Sequence, residues 1–239
     1  MDVYWLEQTE PQVPAGNDWL SPVERALLDS MPFPKRRNDW RLGRWTAKQA
    51  VTACLNLTMT GGAPPLPEIE ILSAVTGAPD VVISRRPAEL AISLTHRSGL
   101  AACAVAPAGT ALGCDLEVIE PRSDAFIGDY LTAQERELVT QCSSIEQPRL
   151  VNLLWSAKES ALKALHAGLR LDTRSVTVHP VFDIEPSLAD DWHPLHASCL
   201  DGQVFYGWWQ GTADLVRTLV ASPPPDPPIL LVTQRFSAA

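Results

Sequence analysis

Two short segments hold acids and a lysine at spacings that suit metal-assisted chemistry on a phosphate ester. In Gly113-Cys114-Asp115-Leu116-Glu117, the acids stand two residues apart in an apolar run, the spacing of one face of a β-strand. In Trp155-Ser156-Ala157-Lys158-Glu159-Ser160-Ala161-Leu162-Lys163, Glu159 and Lys163 stand four apart, the spacing of one helix face. Three carboxylates on rigid elements can hold Mg²⁺, and a nearby lysine can meet a phosphate. Each feature also has a plainer reading. Asp115 and Glu117 could be the solvated face of an edge strand, although two like charges on one face repel unless a cation lies between them. Glu159 and Lys163 could be an ordinary surface pair contributing a few tenths of a kcal/mol, although Ala157, Ala161 and Leu162 make that face less than plainly solvated.

The cations are concentrated. Lys35, Arg36, Arg37, Arg41, Arg44 and Lys48 face one acid, Asp39, in that stretch, and the chain's lysines are Lys35, Lys48, Lys158 and Lys163. Arg37, Arg41, Arg44 and Lys48 recur at helical spacing, so they form either a solvated stripe or an anion site for a compact polyanion. Ile92-Ser93-Leu94-Thr95-His96-Arg97-Ser98-Gly99 ends a strand in a polar turn, where His96 is a loop histidine or a phosphate contact. His166, His179, His193 and His196 show no ligand spacing, and Trp208 and Trp209 read as core or rim. There is no GxGxxG, no P-loop and no defensible Ser-His-Asp order.

The elements that must position these groups follow from pattern. Residues 2–6 read as a strand. Ser21-Pro22-Val23-Glu24 is a capping box opening a helix, and 36–57 is helical. Residues 60–67 form a loop and 85–87 an exposed one. Strands are expected at 69–72, 91–95, 101–106 and 111–117. Thr132-Ala133-Gln134-Glu135 caps a helix to about 141, and 146–166 is the longest later helix, with Gly168 as its stop. Strands follow at 174–178, 203–210, 214–221 and 229–233, with the proline-rich 222–228 as a surface connector. The order strand, helices, strands thus occurs twice, as pattern without sequence identity. The expected fold class is α/β (α+β), with two similar subdomains at 1–110 and 111–239.

Composition narrows the function. A net charge of −9 over 239 residues argues against broad nucleic-acid binding. The five cysteines, Cys54, Cys103, Cys114, Cys142 and Cys199, form no CxxC pair, which disfavours a zinc site or a disulfide framework. Met1 to Glu7 lack a basic n-region and a long apolar h-region, and no apolar run is long enough for a membrane span, so a cytoplasmic protein is expected.

These motifs together resemble the 4′-phosphopantetheinyl transferases of the longer, surfactin-synthetase-activating type. Residues 113–117 match the family's G-x-D-x-E, residues 155–163 its W-x-x-K-E-[AS]-x-x-K, and Ser93 to Gly99 its S-x-[ST]-H-x-x-G. The basic segment Arg36 to Lys48 occupies the place of its coenzyme A-binding region, and Cys114 replaces the usual aliphatic residue. The resemblance implies that coenzyme A donates its phosphopantetheine arm to a serine of an apo acyl or peptidyl carrier protein, releasing adenosine 3′,5′-bisphosphate. It implies a monomer of two similar subdomains in a pseudo-twofold arrangement, with coenzyme A and the active site in the cleft between them and Mg²⁺ as cofactor on Asp115, Glu117 and Glu159. Glu159, Lys163 and His96 would be catalytic. Arg37, Arg41, Arg44, Thr95, His96, Asp115, Lys158 and Lys163 would bind coenzyme A, the arginines at its 3′-phosphate. Glu159 would also orient or deprotonate the carrier serine, although an ideal helix points Lys158 away from it. The alternative is a non-catalytic coenzyme A- or carrier-binding protein; a nucleotide-binding hydrolase is a further one.

Overall fold

Two capping boxes set the frame. The computed structural model describes residues 1–166, 171–181 and 191–232. Ser21 caps α1 (Pro22–Asp29), and Glu24 returns its carboxylate to the Ser21 N–H at 2.9 Å. Thr132 caps α4 (Ala133–Gln141), and Glu135 returns to the Thr132 N–H at 2.7 Å. Each glutamate then does the same second job. Glu24 meets Lys48 of α2 (Pro34–Thr58) at 2.5 Å and accepts from the Ile71 N–H of β2 (Ile69–Ser73) at 3.1 Å. Glu135 meets Lys158 of α5 (Gln147–Ala164) at 2.8 Å and accepts from the Val178 N–H of β8 (Val176–Pro180) at 2.8 Å. One buried carboxylate thus ties a short helix, a long helix and a strand in each half.

The sheets repeat the same plan. β1 (Tyr4–Thr9), β6 (Leu100–Pro107) and β5 (Leu90–Arg97) are neighbours in that order, with a short β12 (Ile229–Leu230) outside β1. The second sheet runs β7 (Ala111–Val118), β11 (Leu215–Ser222), β10 (Val204–Gly211), β9 (His193–Cys199), β8. In the first half, β2 pairs instead with β3 (Pro79–Ile83) and a two-residue β4 (Arg86–Pro87) as a separate small sheet. A further helix, α3 (Asp124–Tyr130), follows β7. α2 packs on the first sheet through Ala47, Val51 and Cys54 against Leu6, Cys103 and Val105. α5 covers the second through Leu153, Leu154 and Ala161. Between the two sheets lies a third core with Val3, Trp5, Ala104, Cys114, Leu116 and Leu219. β12 belongs to the first sheet although it lies late in the chain, so the C-terminal segment crosses back over the halves.

The structure corrects three readings. The halves do share sequence: Trp45-Thr46-Ala47-Lys48-Gln49 occupies on α2 the place of Trp155-Ser156-Ala157-Lys158-Glu159 on α5, because each lysine must reach the buried capping-box glutamate of its own half, Glu24 or Glu135. Lys48 and Lys158 are therefore core residues, fully buried, not anion ligands. Lys158 donates to the carbonyls of Thr173 and Val176, and Lys48 to those of Trp19 and Leu66. β3, β9 and α3 were not anticipated, and the Gly168 stop lies outside the described residues.

Burial pushes the Lys158 ammonium down from its ordinary value, and Glu135 opposes that shift. Removing one partner would strand the other charge in the core. Lys158→Met should therefore cost about 3–5 kcal/mol, and the double variant Glu135→Leu/Lys158→Met should recover much of it. Urea denaturation of the three proteins checks this; equal stability of Lys158→Met and the parent would contradict it.

Candidate active site

Gly113 lets the two motifs meet. A Cβ there would lie 1.7 Å from the Ser160 carbonyl oxygen, so only glycine lets α5 lie against β7. Ser156 and Ser160 both reach the Thr218 hydroxyl of β11, each at 2.8 Å, and pin the helix there. Gly113, Asp115 and Glu117 alternate toward α5, while Leu112, Cys114 and Leu116 enter the core between the sheets. β5 closes the site: Ser93 Oγ accepts from the Cys114 N–H at 2.9 Å, which brings Thr95 beside Asp115.

Asp115 is the centre. Its Oδ1 accepts from Thr95 Oγ1 and from Lys163 Nζ, both at 2.8 Å. Lys163 also donates to the Cys114 carbonyl at 2.9 Å, so its partners lie on the strand, not at Glu159. Burial alone would push the Lys163 ammonium down, but Asp115, with Cys114 and Glu159, holds it above the ordinary lysine value. Asp115 Oδ2 and Glu159 Oε1 are buried and have no hydrogen-bond partner among the described residues. Burial raises the Glu159 carboxyl above its ordinary value, and Asp115 raises it further; Lys163 opposes them.

Glu117 is differently placed. Its Oε1 accepts from Trp155 Nε1 at 3.0 Å and its Oε2 from Arg122 Nη2 at 3.1 Å. Arg122 is itself fixed by Asn152 Oδ1 at 2.8 Å, by Glu120 at 3.0 Å and over the Phe126 ring at 5.0 Å. Arg97 adds a second cation, 3.6 Å from Glu117 and 2.9 Å from Glu120. Burial, then Asp115, still raise the Glu117 carboxyl. Sequence reasoning missed Arg97, Arg122 and Asn152. Asn152 lies seven residues before Glu159 on α5, the one signal that pointed to it.

The donor set fits a hard divalent cation, because Asp115 Oδ2 and Glu159 Oε1 are buried without a donor and the Asp115 charge acts on Glu159. With Glu117 engaged by Trp155 and Arg122, no group of three His, Cys, Asp or Glu side chains among the described residues forms a ready metal cluster. Asp115 and Glu159 are the residues that would hold a cation first.

The remaining expected residues are spread. His96 is exposed and alternates to the face of β5 opposite Thr95. Arg37 is half-buried, 3.9 Å from Asp29. Arg41 donates to the carbonyls of Pro14, Ala15 and Gly16. Arg44 is buried over the Trp40 ring at 4.9 Å. Lys158 stands outside this site, in its pair with Glu135.

Residues 111–220 match the family model ACPS, the 4′-phosphopantetheinyl transferase superfamily. That segment carries Asp115, Glu117, Glu159 and Lys163. The fatty acid synthase subunit alpha of Schizosaccharomyces pombe (strain 972 / ATCC 24843) is 47% identical over 56 residues, 23% of this chain and 3% of that protein. The chain thus spans a small fraction of the curated relative it matches. The crystal structure of Helicobacter pylori holo-[acyl-carrier-protein] synthase in complex with coenzyme A aligns with 44% of this chain and 99% of its own. Its sequence identity is 17% and its TM-score 0.34. No helix among the described residues is long and apolar enough to cross a membrane.

The raised carboxyls set a pH dependence. A carboxyl whose folded pKa is raised adds stability that is full below its unfolded value and lost as pH rises through the folded value. Without divalent cations the protein should therefore lose stability as pH rises above the ordinary glutamate value of 4.5. Glu159→Gln should melt higher than the parent at pH 8 in chelator, and the gap should close toward pH 4.5. Thermal melts at both pH values check this; a lower melting temperature for the variant at pH 8 would contradict it.

Proposed function

We propose that this chain is a Mg²⁺-dependent 4′-phosphopantetheinyl transferase of the longer, surfactin-synthetase-activating type. It moves the arm of coenzyme A to a serine of an apo acyl or peptidyl carrier protein and releases adenosine 3′,5′-bisphosphate. The observation that carries this reading is the pair of orphaned oxygens, Asp115 Oδ2 and Glu159 Oε1, beside Lys163 within the segment matching the transferase superfamily. The longer type is supported by the first half, which lies outside the matched segment and repeats its topology. We accordingly divide the chain into halves 1–110 and 111–239, with coenzyme A between them, and read it as a monomer. The fatty acid synthase match supports a carrier protein of a synthase as acceptor.

The residues divide the work. Asp115 and Glu159 would hold the cation, with Glu117, engaged by Arg122 and Trp155, as the further carboxylate beside them. The cation, when bound, neutralises the pyrophosphate and stabilises the leaving phosphate. Lys163, fixed on Asp115 and the Cys114 carbonyl, donates its remaining N–H to a pyrophosphate oxygen, Thr95 spends its hydroxyl on orienting Asp115, and His96, on the opposite face of β5, meets coenzyme A at the strand end. Glu159 orients the carrier serine and takes its proton, directly or through water, as the serine oxygen attacks phosphorus. The bond to the adenosine-side phosphate oxygen breaks. Arg37, half-buried at the start of the basic stripe, receives the 3′-phosphate first, because Arg41 and Arg44 are held by backbone carbonyls and by Trp40.

Incubating the protein with apo-carrier, coenzyme A and Mg²⁺ tests this directly. The carrier should gain the mass of one phosphopantetheine; coenzyme A binding with an unmodified carrier would favour the non-catalytic binder. Lys163→Ala should lower kcat by about 10²–10³-fold with little change in KM for coenzyme A, because the lysine acts on charge that develops as the bond breaks. An unchanged kcat would reduce Lys163 to a structural partner of Asp115.

A further inference from the structure

The internal repeat places a second, uncharged copy of the acidic site in the first half. Trp45 and Gln49 stand where Trp155 and Glu159 stand on α5. Gln8 pairs with Ala101, the second residue of β6, as Glu117 pairs with Val216, the second residue of β11. By the same register Leu6 takes the place of Asp115, and on the helix Ala53 takes that of Lys163. Every charge of the acidic site is thus replaced by an amide or an alkyl group, while the frame is kept by the Glu24–Lys48 pair.

The copy is open. Gln8, Trp45 and Gln49 line one cavity of about 1000 Å³, walled by Trp19, by Thr52 and by the prolines of residues 64–67. Trp155 spends its indole N–H on Glu117, but Trp45 Nε1 has no hydrogen-bond partner among the described residues. Neither has Gln49 Nε2 or Thr52 Oγ1. Trp45 and Gln49 are 6% and 4% exposed, so water does not readily compensate these donors. Trp45, Gln49 and Thr52 follow at i, i+4 and i+7, three donors about one helical turn apart along one face. Lys48 is consumed behind this wall by Glu24, and the acid at the lining is Asp18, so the cavity does not favour phosphate.

We propose that this cavity is a second ligand site, for an uncharged chain bearing successive amide carbonyls. The carbonyls would accept from Trp45, Gln49 and Thr52, and the aliphatic segments between them would pack on the tryptophans and prolines. Pantetheine and a short extended peptide share that chemistry. The site makes no use of the acids, so it stands or falls separately from the transfer reaction.

The test uses the full chain with ¹⁵N-labelled tryptophan, its Trp45 indole resonance assigned with Trp45→Phe. Pantetheine and blocked dialanine are titrated separately, without metal. A saturable shift of the Trp45 resonance with the Trp155 resonance unmoved is expected for at least one probe, and the tighter probe names the source of the chain. Gln49→Leu should weaken that binding at least tenfold while Thr52→Val, a smaller change, weakens it less. No saturable shift with either probe would overturn the site. So would a shift that persists unchanged in a folded Gln49→Leu or, should that variant not fold, in folded Thr52→Val. Adenosine 3′,5′-bisphosphate shifting Trp45 more tightly than either probe would overturn the ligand class.

Discussion

The site depends on one close approach, the backbone of α5 against the backbone of β7 at Gly113. The strand supplies Asp115 and Glu117, the helix supplies Glu159 and Lys163, and no side chain fits between them at the crossing. Lys163 reaches the Cys114 carbonyl and Asp115 only because the helix lies this near. The serines at 156 and 160 serve the same end, since small hydroxyl side chains permit the approach and tie it to Thr218. Ions facing each other across that crossing are desolvated, so burial and mutual repulsion raise the glutamates and favour a cation between them.

Around the crossing, the protein treats its charges in two ways. Glu24, Lys48, Glu135 and Lys158 are buried and mutually satisfied, with the remaining hydrogen-bond capacity given to backbone groups. Such pairs fix where the helices sit on the sheets. Asp115 and Glu159 are buried with capacity left over. The contrast separates structural ions from functional ones more sharply than burial alone, and Glu117 lies between, answered by Trp155 and by two arginines.

Much of this was legible in the sequence where a local rule applies. The capping boxes at Ser21 and Thr132, the long helices and the strand bearing Asp115 and Glu117 follow from short-range pattern and match the structure. The convergence of Thr95, Asp115 and Lys163 also lies within the motifs that were singled out. What pattern could not give was the partner of each lysine. Lys158 and Lys163 sit in one motif five residues apart, yet one faces Glu135 and the other Asp115, because a five-residue step turns a helix to another face. Arg122 was invisible because it comes from a loop after the strand, and its meaning arises only when Glu117 and Asn152 are brought to it. The repeat of Trp45 to Gln49 was hidden by the exchange of glutamate for glutamine, which keeps shape and removes the charge that draws the eye.

The central claim is that Asp115 and Glu159 are completed by a divalent cation. Titrating Mn²⁺ into the wild-type protein and into Glu159→Gln, with free Mn²⁺ followed by electron paramagnetic resonance, tests it most directly. The account predicts one saturable site in the wild type that Glu159→Gln abolishes or weakens at least tenfold. No saturable binding in the wild type, or equal binding by both proteins, would contradict it.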